Sequence, residues 1–241
     1  FVTLAMKGGS YVYYFENYVD KESLTTFIRP ILNFLSSIGI NFFGENPVSA
    51  GFGLFNAGGI IFMIIGITLS KRFADKYGKR DVFKVALLIS TLFIMFFYFF
   101  SSTSVQLMFT SQILHGFFYG LTIPLLWAMI ADVADYSEWK NNRRATAVIF
   151  SAMMVGLKGG LSIGSALLTW VLGVYGYITK EAAFNGVIPV QPDTAIYGTK
   201  MLVSIYPSIP FLICVGLLFF YEINKKLEIQ IELDLKERRL K

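Results

Sequence analysis

The stretch SAMMVGLKGGLSIGSALL, Ser151–Leu168, is apolar enough to lie in lipid and carries a single charge, Lys158. It sits within a longer block of the same character, Ala147–Tyr175. A helical membrane crossing needs roughly 20 mostly apolar residues to cover about 30 Å of hydrocarbon. At 1.5 Å per residue, Lys158 falls roughly 16 Å into such a helix, near the bilayer centre. A lysine snorkels to the interface only from near a helix end, and a central one costs about 2.5–3.5 kcal/mol on insertion scales. The ammonium is therefore expected to meet a partner or a water-filled cavity.

Helical spacing gives the direction. Ser151, Lys158, Ser162, Ser165 and Thr169 recur at helical steps and share one stripe. Gly156, Gly160 and Gly164 form a second stripe at four-residue spacing, about 200° away. Small residues let a neighbouring helix approach closely. The helix is expected to press its glycines against a packed wall and to turn Lys158, Ser162 and Ser151 toward a polar pathway. A structural ion pair between helices is the plainer alternative. No acid lies deep in any other apolar block, so a deep partner for Lys158 is expected from outside this chain.

Other apolar blocks occur at Phe1–Phe15, Ser49–Leu69, Val82–Phe100, Val105–Ile130 and Met201–Tyr221. Composition agrees: 55% of the 241 residues are hydrophobic, only 15% are charged, and mean hydropathy is +0.59. Soluble domains carry about 25% charged residues. The blocks do not alternate as β-barrel strands do. The sequence thus predicts an all-α membrane protein with a six-helix transmembrane bundle over residues 1–222. The first block is short and lacks the basic start and cleavage site of a signal peptide. The chain is expected to be the C-terminal part of a longer protein.

Most of the 21 basic residues fall in three places: Ser70–Lys84, Lys140–Arg144, and the tail from Lys225. By the positive-inside rule these are cytoplasmic, as are both ends of the chain. The opposite side holds only Lys21, Arg29, Lys180 and Lys200. Glu16–Pro47 is expected to be an interfacial helix or an extension of the first span. An extra span there would carry Arg29 and Pro30 and would invert every later loop. Gly176–Gly198 reads as an outer loop. In residues 223–241, Leu227, Ile231 and Leu235 recur every fourth position among charges, which predicts an amphipathic cytoplasmic helix on the inner leaflet. The pI of about 9.2 is explained by this placement, and no nucleic-acid partner is expected.

RFADKYGKR, Arg72–Arg80, resembles the loop motif of the major facilitator superfamily, with Asp75, Lys76, Gly78, Lys79 and Arg80 in its core positions. Gly78 permits an unusual backbone angle in a tight turn, and Asp75 can accept bonds from helix-end N–H groups or a facing arginine. Arg72 stands where the family has its first glycine, which weakens the expectation of close helix approach there. In ADVADYSEWKNNRRA, Ala131–Ala145, the acids Asp132, Asp135 and Glu138 stack at three-residue spacing, followed by Lys140, Arg143 and Arg144. Opposite charges so clustered at a membrane boundary can form ion pairs that break and reform as a mouth opens; a solvated loop is the bland alternative.

Trp127–Tyr177 is similar to the signature region of the glycoside–pentoside–hexuronide:cation symporters, the melibiose permease family. The matching features are D-x-x-D-Y-x-E-W-K, a following arginine, the lysine-glycine stretch and the closing Gly176–Tyr177. The resemblance covers about fifty residues strongly. It implies the C-terminal half of a twelve-helix major facilitator fold that co-transports a sugar or glycoside with Na⁺ or H⁺ by alternating access. It implies that Lys158 lies near the cation and sugar sites and meets acids of the N-terminal six-helix half. It also implies that Asp132, Asp135, Glu138 and Arg143 or Arg144, with Asp75 and Arg80 of the facilitator loop, close the cytoplasmic side. The coupling cation would be bound mainly by the other half, with no further cofactor and no metal site here. The expected location is the inner membrane, and the expected partners are the sugar, the cation, the lipid bilayer and that half.

Aromatic and polar side chains add candidates. Tyr14 in YVYYFENY, Tyr11–Tyr18, together with Tyr119 and Trp127, offers flat faces to a sugar, although packing accounts for most such residues. Gln112 and His115 either face the pathway or bond between helices. Gly8, Gly9, Gly116, Gly120 and Pro124 are close-packing or hinge points. The alternatives are a facilitator that exports another small molecule and a membrane enzyme. An enzyme is disfavoured because the single His and single Cys fall on different blocks, without metal-ligand spacing or a phosphate-cradling loop.

Overall fold

A computed structural model describes residues 1–40, 46–179 and 189–240, and every regular element among them is helical. In chain order these are α1 (Val2–Asn17), α2 (Lys21–Ser37), α3 (Pro47–Tyr77), α4 (Lys79–Phe96), α5 (Val105–Asn141), α6 (Thr146–Val174), α7 (Asp193–Val203), α8 (Ile205–Leu217) and α9 (Lys225–Leu240). The expected outer-side Lys180, the tail's Lys241 and residues 41–45 of the first connection lie outside the described residues.

Four segments are long and apolar enough to cross a membrane: α3, α5, α6 and the α7–α8 pair. The other two expected spans fall short of that. α1 has 16 residues, and α4 has 18 but opens with Lys79, Arg80, Asp81 and Lys84. α5, with 37 residues, is about 55 Å long. It overshoots the hydrocarbon, so its acidic last turns project beyond it.

Local chemistry sets the boundaries. Asn46 caps α3 by accepting the Val48 N–H at 2.9 Å, with Pro47 at the first helical position. Gly78 ends α3 and starts α4 at φ 90°, the unusual angle its turn was expected to need. Gly176, at φ 73°, closes α6: the Tyr177 N–H bonds Leu172 O at 2.9 Å and the Gly176 N–H bonds Gly173 O at 3.0 Å.

Two expected boundaries move. The last span begins at Asp193, inside the expected Gly176–Gly198 loop, and ends at Leu217 rather than Tyr221. It also breaks at Ser204, φ −122° and ψ −81°. Pro207 has no N–H for the carbonyl of Val203 and its ring crowds that carbonyl, which opens the helix just after Val203. Hydroxyls repair the break: Ser204 Oγ donates to Lys200 O at 2.6 Å and Ser10 Oγ to Leu202 O at 3.1 Å. Thr3 Oγ1 donates to Pro207 O at 2.6 Å.

Between α1 and α3 the chain forms α2, a separate helix that turns away after Asp20 rather than prolonging α1. Asp20 accepts the Ser23 N–H at 2.8 Å, and hydrogen bonding from the Ser23 side chain, with that backbone bond, holds its carboxyl below the usual range. Leu24 and Ile28 of α2 are buried, and Leu24 fills the space beside Gly51 of α3.

α3 and α5 make the closest helix pair. A Cβ on Gly66 would strike Phe117 O, one on Gly116 would strike Gly59 O, and one on Gly120 would strike Met63 O. Ser70 Oγ donates across the seam to Leu121 O at 3.0 Å. This is small-residue packing, in which van der Waals contact replaces the absent hydrophobic drive between helices. An aromatic core of Tyr11, Phe15, Phe55, Phe97 and Phe109 locks α1, α3, α4 and α5 together. Its rings meet edge to face, Tyr11 and Phe55 at 4.8 Å and Phe15 and Phe55 at 4.9 Å.

Candidate functional site

α6 is the least covered of the four long apolar segments. Two glycines of its stripe pack as the spacing predicts, while the third, Gly156, is exposed with nothing within 4 Å. A Cβ on Gly164 would strike Val2 O, and one on Gly160 would lie 2.9 Å from Phe1 Cβ. α1 therefore runs along this side of α6. On the other side Ser151, Lys158, Ser162, Ser165 and Thr169 are all exposed. Ser165 and Thr169 turn their hydroxyls back to carbonyls of their own helix, at 3.0 Å to Leu161 O and 3.0 Å to Ala166 O. Lys158 has no ion pair or hydrogen bond among the described residues. The bare face is therefore open to whatever stands beside this chain.

A second cation inside the apolar blocks went unassigned in the sequence. Lys7 is 5% exposed. Its ammonium donates to Gln112 Oε1 at 3.2 Å and lies 5.2 Å from the Tyr11 ring centroid, while Tyr11 OH donates to the same oxygen at 3.0 Å. Gln112 is held in place by Gly59, where a Cβ would come within 2.8 Å of its Nε2. One turn along α5, His115 Nδ1 is 2.8 Å from Ser90 Oγ. Gln112 and His115 thus serve as interhelical bonds between α5 and its neighbours, one of the two roles weighed for them. The signal for Lys7 was available: it is a charge in an apolar block, as Lys158 is.

Tyr14 is fully buried, stacked on Tyr18 at 4.9 Å, and its hydroxyl has no hydrogen-bond partner among the described residues. Trp127 is half-buried on α5. Neither shares the open face of α6 with Lys158.

The charged residues converge at the other end of the bundle. Lys79 pairs with Asp132 at 2.7 Å and with Glu228 of α9 at 2.9 Å. Burial opposes the Lys79 charge, but the two carboxylates win and hold the ammonium above its usual pKa. Arg144 pairs with Asp135 at 2.9 Å and reaches Glu138 at 3.7 Å. Arg143 instead gives only its carbonyl, which accepts from Ser137 Oγ at 2.9 Å. Arg80 Nη1 donates to Tyr221 O at 3.1 Å. Asp75 is exposed, and its carbonyl accepts from Lys225.

α9 is amphipathic as its spacing predicts, but its Ile231 and Leu235 are buried against the protein. Around that stripe Trp139 Nε1 donates to Asp234 at 2.7 Å, and Arg239 pairs with Glu138 at 3.0 Å. A cavity of about 540 Å³ remains between α9 and the ends of α4 and α5, with Lys79, Asp132 and Asp135 in its wall.

The family described as MFS/sugar transport protein matches residues 34–225. The chain is 28% identical over 174 residues to the putative glycoside/cation symporter YagG of Escherichia coli (strain K12), covering 72% of this chain and 36% of that protein. It is 27% identical over 197 residues to a putative 2,3-dihydroxypropane-1-sulfonate exporter of the same organism, covering 81% and 40%. To the isoprimeverose transporter of Lactiplantibacillus pentosus it is 24% identical over 204 residues, covering 84% and 41%. The chain thus spans about two fifths of the length of these relatives.

Proposed function

The chain belongs to the MFS/sugar transport protein family, whose members are transporters and not enzymes, and on that premise we propose that it is the C-terminal six-helix half of a cation-coupled glycoside symporter. In this reading α1, α3, α4, α5, α6 and the α7–α8 pair are the six crossings, α2 lies at the outer interface, and the charged end with α9 is cytoplasmic in the inner membrane.

One observation carries the reading: α6 packs Gly160 and Gly164 against the start of α1 and leaves Lys158, unpaired among the described residues, on a bare hydroxyl-bearing face. A lysine near the bilayer centre is tolerable only against a partner or water. Here the partner is the second half of the transporter, with the sugar and the cation passing between the two. Lys158, Ser162 and Ser151 line that pathway. Gln112, bound to Lys7 and Tyr11, fixes α1 to α5 behind it. At the charged end, Asp132 with Lys79 and Asp135 and Glu138 with Arg144 form a closed cluster whose rupture opens the cytoplasmic mouth.

The test is uptake of a radiolabelled glycoside by the full-length gene product in proteoliposomes, under imposed inward Na⁺ or H⁺ gradients. Accumulation driven by one gradient supports symport, and no dependence on either removes it. The named exporter among the relatives favours a second reading, efflux of another small molecule. Gradient-driven loss of a preloaded solute would support that reading instead.

A further inference from the structure

On the outer surface, α3, α4 and α5 leave a groove of about 400 Å³. Its walls include Phe73, Tyr77, Val82, Val85, Ile89 and Phe118. From Val82 to Ile89 it follows α4 for about 10 Å. Phe62, eleven residues before Phe73 and so on the same side of α3, is exposed and carries the apolar surface further along the helix, so the groove opens toward hydrocarbon. One carboxylate, Asp81, stands in the wall, and Arg80 Nε at 3.3 Å and Lys84 Nζ at 3.4 Å offset its charge.

Two exposed cations lie beside the charged end of this groove. Arg72 and Lys76 stand on the last turns of α3, and neither pairs with a carboxylate among the described residues; Lys71 stands about 160° around the helix from Phe73, away from the groove. Lys76 Nζ lies 5.0 Å from the ring centroid of Tyr77, itself a groove wall. Arg72 is one turn back on the same side of α3. The nearby Lys79 and Lys225 are already engaged, by Asp132 and Glu228 and by the carbonyls that end α3. The molecule therefore spends Lys79, Arg80, Lys84 and Lys225 on itself at this corner and leaves Arg72 and Lys76 without a carboxylate beside an apolar slot.

We propose that this groove binds an anionic membrane phospholipid, one acyl chain lying in the slot and the phosphate-bearing headgroup held by Arg72 and Lys76. The chain alone gives little selectivity, because bulk lipid offers it an equally apolar place. The headgroup supplies it: a guanidinium meets phosphate oxygens through paired N–H donors, and each nearby cation favours an anionic lipid over a zwitterionic one with the same chains. This site is separate from the pathway and does not depend on what is transported.

The test is native mass spectrometry of the full chain in detergent, with phosphatidylglycerol and phosphatidylcholine of identical acyl chains as probes. Wild type is expected to retain phosphatidylglycerol at least tenfold better. The double substitution Arg72→Gln, Lys76→Gln should bring phosphatidylglycerol down to the phosphatidylcholine level, at about fivefold per cation. Val85→Trp, which fills the slot and touches no cation, should weaken both lipids alike. Circular dichroism confirms that each variant keeps its helix content. Equal retention of the two lipids by wild type, or a preference that survives the double substitution, overturns the headgroup assignment. Undiminished binding in Val85→Trp overturns the groove.

Discussion

Along α5, Gly116 and Gly120 are closed over by the backbone of α3, so that one extra carbon at either would strike a carbonyl. Along α6, a carbon on Gly164 would likewise strike the Val2 carbonyl and one on Gly160 would press on Phe1 Cβ, but Gly156 has nothing near it and the side bearing Lys158 is bare. Both helices use glycine to bring backbones together. α5 is enclosed by α1, α3 and α4, whereas α6 is enclosed on one side only. The comparison separates glycines that hold this chain together from a polar face turned outward, and it predicts that substitutions on the two helices fail in different ways.

The largest effect belongs to the α3–α5 seam. Gly66→Leu forces a side chain into Phe117 O, where backbone has to move. Overpacking usually costs about 1–3 kcal/mol, and an obstacle made of main chain places this variant at the top of that range or beyond. A thermal midpoint in detergent within 2 °C of wild type would break the account of the seam.

Gln112→Ala comes next. It leaves the Lys7 ammonium and the Tyr11 hydroxyl buried without their shared acceptor, at about 2–3 kcal/mol. Lys7→Met in the same background should recover much of that loss, because the stranded charge is then gone. Chemical denaturation of the single and double variants measures both steps. Additive losses would show that the two side chains do not act together.

Ser10→Ala removes the hydroxyl that satisfies Leu202 O beside the break in the last span, at about 1 kcal/mol. Smallest is Gly156→Ala, whose new carbon meets nothing within 4 Å. It should leave stability within about 0.5 kcal/mol of wild type. A large loss there would mean that the start of α6's glycine stripe is covered within this chain after all.

Much of the architecture was legible because membrane helices announce themselves by length and apolarity. The division of α6 into glycine and lysine sides followed from spacing, whereas the Gly78 turn and the Gly176 closure followed from the resemblance of their motifs to those of the family. The start of the last span did not, because the first turns of α7 are polar and look like loop, and they become helical by docking on α1. Its break at Ser204 carries no glycine, and the proline responsible lies three residues on. The stripe of α9 reads the same whether it covers lipid or protein, and only the position of α5's projecting end decides between them. Lys7 was overlooked because it stands near the start of a short block. Its burial depends on how α1 meets α5, a long-range contact with no local signature.

The central claim is that the bare face of α6 lines the transport pathway. The most direct measurement is gradient-driven glycoside uptake by the full-length gene product carrying Lys158→Ala, with its thermal midpoint recorded alongside. The account predicts a midpoint equal to wild type, since Lys158 contacts nothing described in this chain, and coupled uptake reduced at least a hundredfold. Wild-type coupled uptake in a well-folded Lys158→Ala protein would contradict it.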